Sequence, residues 1–356
     1  MKTEREKKPL YIGIYEVIRA GIVSGAYVYG SRLPSKRELA AEKGVSVITV
    51  EHAYGLLGDE GYIESREKSG YFVIYKDSDF ISVAPGERLT AKTDENTPRT
   101  YEFPYSVLAK TMRRVMLDYG TRILERSPNT GTGELRHAIS RYLARSSGIA
   151  VNEKQIIIGS GAEYLYSLIA QLLGKDGIFA LETPSYGKIR RVYEASGVAC
   201  EMLKMDADGI RSSELERSRA SVLHVTPFNS YPSGVTAGAT KRREYLAWAK
   251  SRGGFIIEDN YDSEMTVSTK NEDTLFSLSD GENVIYLNTF SKTISRSIRV
   301  GYMVLPKKLL EIFEQKLGFY SCTVPVFEQF VLAELISSGD FERHINRVRR
   351  AKRKNL

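Results

Sequence analysis

The chain has 356 residues, enough for two domains, and its hydrophobic content of 42% is typical of a globular protein. No apolar run has membrane-spanning length, and the charged N-terminus lacks a signal-peptide core, so we expect a cytoplasmic protein without membrane contact. Two cysteines and four scattered histidines argue against a disulfide scaffold and a metal site, whereas the net charge of +7 permits nucleic-acid binding.

Residues 1–75 show the pattern of three helices followed by a β-hairpin. Apolar residues of the first helix recur at helical spacing, namely Leu10, Ile14, Val17, Ile18 and Ile22. Ser35 and Glu38 have the spacing of a capping box that begins a second helix, and Ser46 is the predicted cap of a third. Two β-prone segments then flank a basic tip at 66–70. This arrangement predicts a winged helix-turn-helix.

The third helix is the predicted recognition helix. Its apolar face consists of Val50, Ala53, Tyr54 and Leu57, which leaves the other face for the major groove of DNA. The residues expected at the bases are Val47, Ile48, Thr49, Glu51 and His52, and the cap residue Ser46 is also predicted to contact DNA. A valine at position 47 cannot bind guanine through hydrogen bonds, but it can pack on a thymine methyl group.

Other residues of this domain are predicted to contact the DNA backbone or the minor groove. Ser35, Lys36 and Arg37 are placed to bind phosphate, and Lys68 with Gly70 is placed at the wing to reach the minor groove. The alternative is a small winged domain that binds protein rather than DNA.

Beyond this domain, residues 76–100 show no helical or strand period and are predicted to be a linker, rich in Asp, Ser, Thr and Lys. From residue 101 onward, apolar strands alternate with amphipathic helices. That alternation predicts a doubly wound, mostly parallel α/β sheet, with helices on both faces. In such a sheet, ligands bind at the carboxyl ends of the strands.

A glycine turn follows the predicted strand at 155–158 and leads into a helix. Its residues Ser160, Gly161 and Ala162 would bind phosphate through backbone N–H groups at the helix N-terminus. A dinucleotide fingerprint would need a third glycine at position 164, where the chain has Tyr164. We therefore reject a Rossmann-type dinucleotide site.

Two further predicted strands are followed by the residues on which the functional prediction rests. The apolar strand 284–287 is followed by Lys292 and Arg299, and the strand 255–257 by Asp259 and Tyr261. A lysine at a strand end, away from water, is a competent amine nucleophile toward an aldehyde. A carboxylate, a phenol, a lysine and an arginine on neighbouring strand ends are the groups that pyridoxal phosphate requires.

With these motifs in this order, the chain resembles the MocR-type transcription regulators. In that family a GntR-type winged helix is fused to a fold-type I aminotransferase domain. The segment from Leu33 to Ala40 closely matches the GntR signature. The resemblance implies a DNA-binding domain at 1–75, a linker at 76–100, and a pyridoxal-phosphate-binding large domain at 101–356.

The resemblance also implies roles for single residues in this second domain. Lys292 would form the Schiff base with pyridoxal 5'-phosphate, Asp259 would hold the pyridinium nitrogen, and Tyr261 would contact the ring oxygen. Other residues implied to bind the cofactor are Ser160, Gly161, Ala162, Ser291 and Arg299 around the phosphate and Tyr186 against the ring, although a core tyrosine is the alternative for the last. Relatives usually have His-Gln where this chain has Asn229-Ser230, which leaves the ring-oxygen contact open.

The chain ends in a basic helix, 349–356, which continues into a small C-terminal domain in relatives. That domain supplies their carboxylate-binding arginine. We expect it to be absent or truncated here, with inefficient transamination as a result. Its absence would leave apolar surface uncovered near Phe319, Val324, Val326 and Phe330.

Two functions of different classes are compatible with these residues. The first is a regulator that binds a double-stranded DNA operator as a homodimer and senses an amine or amino-acid effector through pyridoxal phosphate. The second is an aminotransferase with an accessory DNA-binding domain. A defective fragment that performs neither function is a third alternative. The winged helix favours the first, because an enzyme gains nothing obvious from a recognition helix.

Overall fold

A computed structural model describes residues 9–67, 69–75, 103–174, 176–265, 273–279, 281–295 and 297–354. The chain divides into two compact units, Met1–Thr93 and Asp94–Leu356. The predicted linker and Lys68 lie outside the described residues. Within the described ranges, no helix combines the length and apolarity needed to cross a membrane.

The first unit has the predicted three helices and hairpin. Its elements are α1 (Leu10–Val23), α2 (Lys36–Lys43), α3 (Val47–Asp59), β1 (Ile63–Arg66) and β2 (Gly70–Val73), with the two strands antiparallel. The capping box is confirmed, since Ser35 N donates to Glu38 and Glu38 N donates to Ser35 Oγ. Ser46 Oγ likewise accepts from Thr49 N at 3.1 Å, so both helix starts are fixed by side chains.

The core of this unit lies between α1 and α3. Val50, Ala53, Tyr54 and Leu57 are buried there, as predicted. The expected apolar face of α1 was partly wrong, because only Ile14, Ile18 and Ile22 are buried whereas Leu10 and Val17 are exposed. The three isoleucines recur at every fourth residue and form one stripe. Val17 lies about 100° around the helix from Ile18, and Leu10 begins the helix at the end of the stripe.

The second unit is built on one eight-stranded sheet. Its strands are β3 (Ile156–Gly159), β4 (Ile178–Thr183), β5 (Ala199–Asp206), β6 (Gly209–Ile210), β7 (Val222–Val225), β8 (Phe255–Asp259), β9 (Val284–Thr289) and β10 (Gly301–Val304). The spatial order is β3-β10-β9-β8-β7-β4-β5-β6. Strands β5, β4, β7, β8 and β9 run parallel, whereas β10 is antiparallel to both of its neighbours. The mostly parallel sheet is confirmed.

Helices cover both faces of this sheet. They are α4 (Tyr105–Tyr119), α5 (Gly133–Ser147), α6 (Ala162–Leu173), α7 (Gly187–Ala195), α8 (Ser212–Arg217), α9 (Ala239–Arg252), α10 (Leu275–Leu278), α11 (Lys307–Leu317), α12 (Val326–Ser337) and α13 (Asp340–Lys354). Successive residues of β9 enter opposite cores: Val284 and Tyr286 pack with α5, α9 and α12, whereas Ile285 and Leu287 pack with α6, α7 and α11. The doubly wound architecture is therefore confirmed.

The expectation of uncovered apolar surface near the end of the chain was largely wrong. Val324, Val326 and Phe330 are buried, and only Phe319 is exposed. Phe330 stacks on Tyr119 at a centroid distance of 4.0 Å, because α12 packs against α4 and α5. Helices of the same unit thus cover these side chains.

Candidate functional site

A cavity of about 340 Å³ lies at the carboxyl ends of the parallel strands. It is lined by Ala162, Glu163, Tyr166, Tyr186, Ile189, Thr226, Tyr231, Asp259, Tyr261, Thr289, Ser291, Lys292 and Arg299. Strands β8 and β9 end at Asp259 and Thr289, so their following loops meet at this edge. The cavity brings together seven of the nine residues predicted to bind the cofactor, while Ser160 and Gly161 adjoin its wall in sequence.

Asp259 is a buried carboxylate on the cavity wall, only 2% exposed. The Tyr166 hydroxyl donates to its Oδ2, and the backbone N–H of Tyr261 donates to Oδ1 at 3.2 Å. His224 Nε2 lies 3.6 Å from Oδ2 and has no hydrogen-bond partner in the described part of the chain. The carboxylate is thus fixed in orientation, with a ring nitrogen of histidine behind it.

Burial raises the pKa of Tyr166 well above its usual value, and the neighbouring Asp259 charge raises it further. The phenol therefore remains protonated at neutral pH and acts as a donor. The second nitrogen of His224, Nδ1, lies 2.8 Å from the Tyr193 hydroxyl, which is also buried. These contacts hold Asp259 through α6 and β7 as well as through its own loop.

Lys292 reaches the cavity from the loop after β9. Its Nζ lies 3.7 Å from Asp262 Oδ1 and 4.9 Å from the centroid of the Tyr261 ring. The position after a buried strand predicts a lysine away from water, but the side chain is half exposed. That expectation was wrong because the lysine stands at the open side of the cavity, where neighbouring helices do not cover it.

Tyr261 is held between the loops after β7 and β8. Its hydroxyl donates to the carbonyl oxygen of Asn229 at 3.3 Å. Burial raises the pKa of Tyr261 to about 12, with further contributions from the charges of Asp262 and Asp259. The phenol is therefore a donor at neutral pH. Asn229 Nδ2 also donates to Asp262 Oδ2 at 2.5 Å, so this asparagine positions both residues.

The glycine turn is found at the N-terminus of α6. Gly161 precedes the helix with φ of 85°, and no side chain caps the helix there. A β-carbon at position 161 would lie 3.0 Å from Arg299 Nη2, so a glycine is needed for the guanidinium to approach the helix end. Such a cradle of N–H groups and arginine suits a phosphate group.

Four of the five predicted phosphate ligands already have protein partners; Gly161 N, for one, donates to the Gly159 carbonyl oxygen at 2.8 Å. Ser160 N donates to Thr323 Oγ1 at 3.2 Å, and Ser291 Oγ donates to the Ile298 carbonyl oxygen at 3.0 Å. Arg299 pairs with Glu163, a carboxylate that the sequence argument did not consider. The anion site is therefore partly satisfied from within the protein.

Tyr186 stands immediately before α7 and lines the cavity. Its ring meets that of Tyr231 edge to face, with centroids 6.3 Å apart. Of its surface, 40% is exposed, so it is not a core tyrosine. Lys188 Nζ lies 5.9 Å from the centroid of this ring, so Tyr186 offers a flat ligand the ring face that the lysine does not cover.

Sequence reasoning missed several residues of the cavity. Tyr166 could have been found, because it lies four residues after Ala162 and so on the same face of α6. His224 had been noted only as one of four scattered histidines. Nothing in the sequence marked Glu163, Thr226 or Tyr231, which reach the cavity only through the packing of their elements.

The recognition helix of the first unit presents an apolar tip. Val47 is 41% exposed and Ile48 64% exposed, and His52 is exposed with its ring against Tyr11. Thr49 is half-buried, since its N–H and hydroxyl contact Ser46 at the helix cap. Glu51 binds Lys36, with Nζ and Oε1 2.6 Å apart. The positions predicted to contact bases therefore carry no unpaired carboxylate in the described part of the chain.

The predicted phosphate contacts and the wing have different surroundings. Arg37 is exposed, whereas Lys36 is held by Glu51, and the Ser35 hydroxyl is used in the helix cap. At the wing, Gly70 has φ of 106°, and a β-carbon there would lie 3.0 Å from Arg32 Nε. Arg32 is thus an exposed cation beside the hairpin that sequence reasoning missed.

Comparisons with known proteins agree with both units. The chain matches the family model for aminotransferase class I and II over residues 96–355, and that for bacterial regulatory proteins of the gntR family over residues 10–73. It is 33% identical over 358 residues to the HTH-type transcriptional regulator YdeL of Bacillus subtilis (strain 168), covering 97% of this chain and 77% of YdeL. The probable rhizopine catabolism regulatory protein MocR of Rhizobium meliloti is 29% identical over 367 residues, with 96% and 74% covered.

Among solved structures, the kynurenine aminotransferase of Pyrococcus horikoshii, in complex with PMP, has a TM-score of 0.65 and 25% identity. The match covers 71% of this chain and 65% of that enzyme, slightly less than two thirds of its length. The chain belongs to the MocR/GntR subfamily of HTH-type transcriptional regulators, with a GntR helix-turn-helix domain followed by a fold-type I aminotransferase domain.

Proposed function

We propose that this chain is a DNA-binding regulator whose second domain binds pyridoxal 5'-phosphate and senses an amine or amino acid. The observation that carries the proposal is that one cavity is lined by Asp259, Tyr261, Lys292 and Arg299 together. The recognition helix of the first unit favours regulation over metabolism. The family to which the chain belongs supports the same choice.

The residues of the cavity fit this cofactor. Asp259 is buried, and its orientation is fixed by Tyr166, so it can hold a proton on a ring nitrogen. The glycine cradle and Arg299 offer donors to a phosphate, and Tyr186 offers an aromatic face to a ring. The unpartnered nitrogen of His224 lies behind the carboxylate and can orient it further.

When bound, pyridoxal phosphate supplies an aldehyde that reacts reversibly with primary amines. Lys292 would provide the protein's amine, and Asp262 would position it. Tyr261 would donate a hydrogen bond to the ring oxygen from a phenol that burial keeps protonated. An effector amine would compete with Lys292 for the same aldehyde, and this competition would be the basis of sensing.

For the first unit, we propose that α3 enters the major groove of an operator with Val47 and Ile48 at its leading end. Arg37 would bind a backbone phosphate, and Gly70 with Arg32 would face the minor groove at the wing. Two copies of the chain would bind two half-sites related by twofold symmetry, as helix-turn-helix dimers do. Light scattering on the purified chain would measure the oligomeric state.

The decisive experiment uses the full chain. Operator sequences are first selected from a random duplex library. In a second measurement, pyridoxal phosphate is added, its bond to the protein is reduced with borohydride, and the modified residue is located by peptide mass spectrometry. We expect fixation on Lys292, and a change in operator affinity when a panel of amines is titrated. Lys292→Ala, checked for folding by circular dichroism, should lose fixation but still bind duplex DNA.

Two results would reject the proposal. Fixation that persists in the Lys292→Ala protein would mean that another lysine carries the cofactor. An absence of salt-dependent binding to duplex DNA would remove the regulatory role and would leave the second candidate, an aminotransferase. That candidate is favoured by the likeness to the Pyrococcus kynurenine aminotransferase, and it predicts multiple turnovers of amino-group transfer.

A further inference from the structure

Glu163 lies between two cations at the edge of the cavity. It is the second residue of α6, and its Oε1 is 3.0 Å from Lys188 Nζ on α7. Its other oxygen accepts a hydrogen bond from Arg299 Nη2. The arginine next to the glycine cradle is therefore already paired with a carboxylate of the protein.

This carboxylate is ionised at neutral pH. Burial alone would raise the pKa of Glu163, but Lys188 and Arg299 more than offset that effect and lower the pKa below its usual value. A formal negative charge thus stands in the first turn of α6, where an incoming phosphate would also be bound.

Glu163 and a phosphate group require the same partner. Both anions are bound by the N–H groups of a guanidinium, and Arg299 Nη2 is the atom that Glu163 occupies. A phosphate beside Arg299 would also be repelled by the charge of Glu163. Lys188 offers Glu163 a second partner, 3.0 Å away, that does not belong to the glycine cradle.

We propose that Glu163 is an internal competitor for the ligand's phosphate: it pairs with Arg299 when no phosphate is bound there and is retained by Lys188 when phosphate binds. The inference rests on the proposed function, in which the phosphate of pyridoxal phosphate is bound next to Arg299. It makes Glu163 and Lys188 determinants of how tightly phosphorylated ligands are held.

The test compares pyridoxal phosphate with pyridoxal, which has the same ring and aldehyde but no phosphate. Dissociation constants are measured by calorimetry on the full chain. Because solvent damps interactions between half-exposed charges, Glu163→Gln should tighten pyridoxal phosphate binding by about five- to tenfold and change pyridoxal binding by less than about twofold. Lys188→Gln should weaken pyridoxal phosphate binding, since Glu163 then has only Arg299 as a partner.

The double variant, Glu163→Gln with Lys188→Gln, distinguishes competition by Glu163 from direct attraction of the phosphate by Lys188. If Lys188 acts by retaining Glu163, the double variant binds pyridoxal phosphate as tightly as Glu163→Gln alone. If it binds more weakly than that single variant, Lys188 attracts phosphate directly and the transfer of Glu163 between the two cations is refuted.

Failure of the inference can be distinguished from failure of the proposed function. Arg299→Gln is the reference variant, and it should weaken binding of pyridoxal phosphate but not of pyridoxal. If Arg299→Gln behaves so while Glu163→Gln leaves the ratio of the two affinities unchanged, Glu163 does not compete. If the unmodified chain binds neither compound, the proposed cofactor is wrong and the inference is overturned with it.

Discussion

Lys292 Nζ lies 3.7 Å from Asp262 Oδ1, although the two residues follow different strands of the sheet. Asp262 is buried and accepts a hydrogen bond from Asn229, whereas the lysine side chain is half exposed. The fixed carboxylate therefore positions the half-exposed amine over the ring of Tyr261. The location of Lys292 depends on the loop after β8 as well as on its own loop.

The first prediction concerns this pair. Asp262→Asn keeps the size of the side chain but removes its charge, so Lys292 loses its ionic anchor. Because an ion pair with one half-exposed partner contributes only modestly, the rate of borohydride-fixable attachment of pyridoxal phosphate should fall by about two- to fivefold. The rate is measured by quenching at timed intervals. Glu311→Gln, at an exposed position, serves as control. Equal rates of attachment in Asp262→Asn and Glu311→Gln would show that Asp262 does not assist Lys292 through its charge.

The second prediction concerns Asp259. Removing one partner of a buried charge pair typically costs about 3–5 kcal/mol, so Asp259→Ala should weaken cofactor binding by a hundredfold or more, as about 1.4 kcal/mol corresponds to tenfold. Tyr166→Phe keeps the carboxylate and removes one donor, so it should cost only about 1 kcal/mol. Calorimetric titration measures both effects.

Unchanged affinity in Asp259→Ala would mean that another carboxylate serves the ring nitrogen. The neighbouring Glu258 is a poor substitute, because its oxygens accept hydrogen bonds from Leu275 N at 2.9 Å and Phe276 N at 2.8 Å. Asp262, which lies beside Lys292, would then be the next residue to substitute.

The third prediction concerns the apolar tip of the recognition helix. If Val47 and Ile48 pack on thymine methyl groups, replacing those thymines by deoxyuridine removes the contact without altering any hydrogen bond. Each lost methyl contact should weaken operator binding by about fourfold, from about 0.8 kcal/mol per buried methyl or methylene group. Fluorescence anisotropy on matched duplexes measures the effect, which should be smaller in Ile48→Ala.

Arg37→Ala is the matched control for this experiment. The loss of a phosphate contact should weaken binding to all sequences alike and reduce the salt slope by about one unit. It should leave the ratio between thymine and deoxyuridine duplexes unchanged. Equal affinity of the unmodified chain for both duplexes would exclude thymine methyl recognition.

The fourth prediction concerns pH. Burial raises the pKa of Glu182 to about 8, against a hydrogen bond from Ser230 that lowers it. The folded protein thus keeps a proton that the unfolded chain releases above its ordinary pKa of about 4.3. The contribution of Glu182 to the free energy of unfolding is therefore complete below pH values of about 4.3 and is lost as the pH rises toward 8.

Glu182→Gln should therefore unfold with a flatter pH dependence. Between pH 6 and pH 8, we expect the unfolding free energy of the unmodified chain to fall by about 2 kcal/mol more than that of the variant. Urea titrations at several pH values measure this difference, with Glu311→Gln again as the exposed control. Parallel curves for the chain and for Glu182→Gln would show that Glu182 is ionised in the folded state.

Sequence reasoning succeeded where a local rule decides the structure. The capping box of Ser35 and Glu38 involves groups three residues apart, and an apolar run such as 284–287 becomes a buried strand in any α/β sheet. Because parallel strands end at one edge, Asp259 and Lys292 were expected near each other, and the cavity contains both. Each of these inferences needs only near neighbours or a general property of sheets.

Prediction from the sequence failed for burial and ion pairs that depend on which helices pack against each other. Burial of Phe330 follows from the contact of α12 with α4 and α5, which no local pattern encodes. The half-exposed state of Lys292 depends on the open side of the cavity, and the ion pair of Glu163 with Arg299 joins residues 136 positions apart. Such contacts are set by the tertiary arrangement rather than by spacing along the chain.

Antiparallel pairing of β9 with β10 has a consequence for which ligands the cavity accepts. Thr289 is registered opposite Gly301, and the loop 290–300 between them is closed by the Phe290 N–Val300 O hydrogen bond of 2.9 Å. This one loop carries both Lys292 and Arg299, and the hydrogen bond from Ser291 to Ile298 crosses it. Both groups belong to a single hairpin loop, so the length of that loop limits the distance that a ligand can span between the amine and the guanidinium.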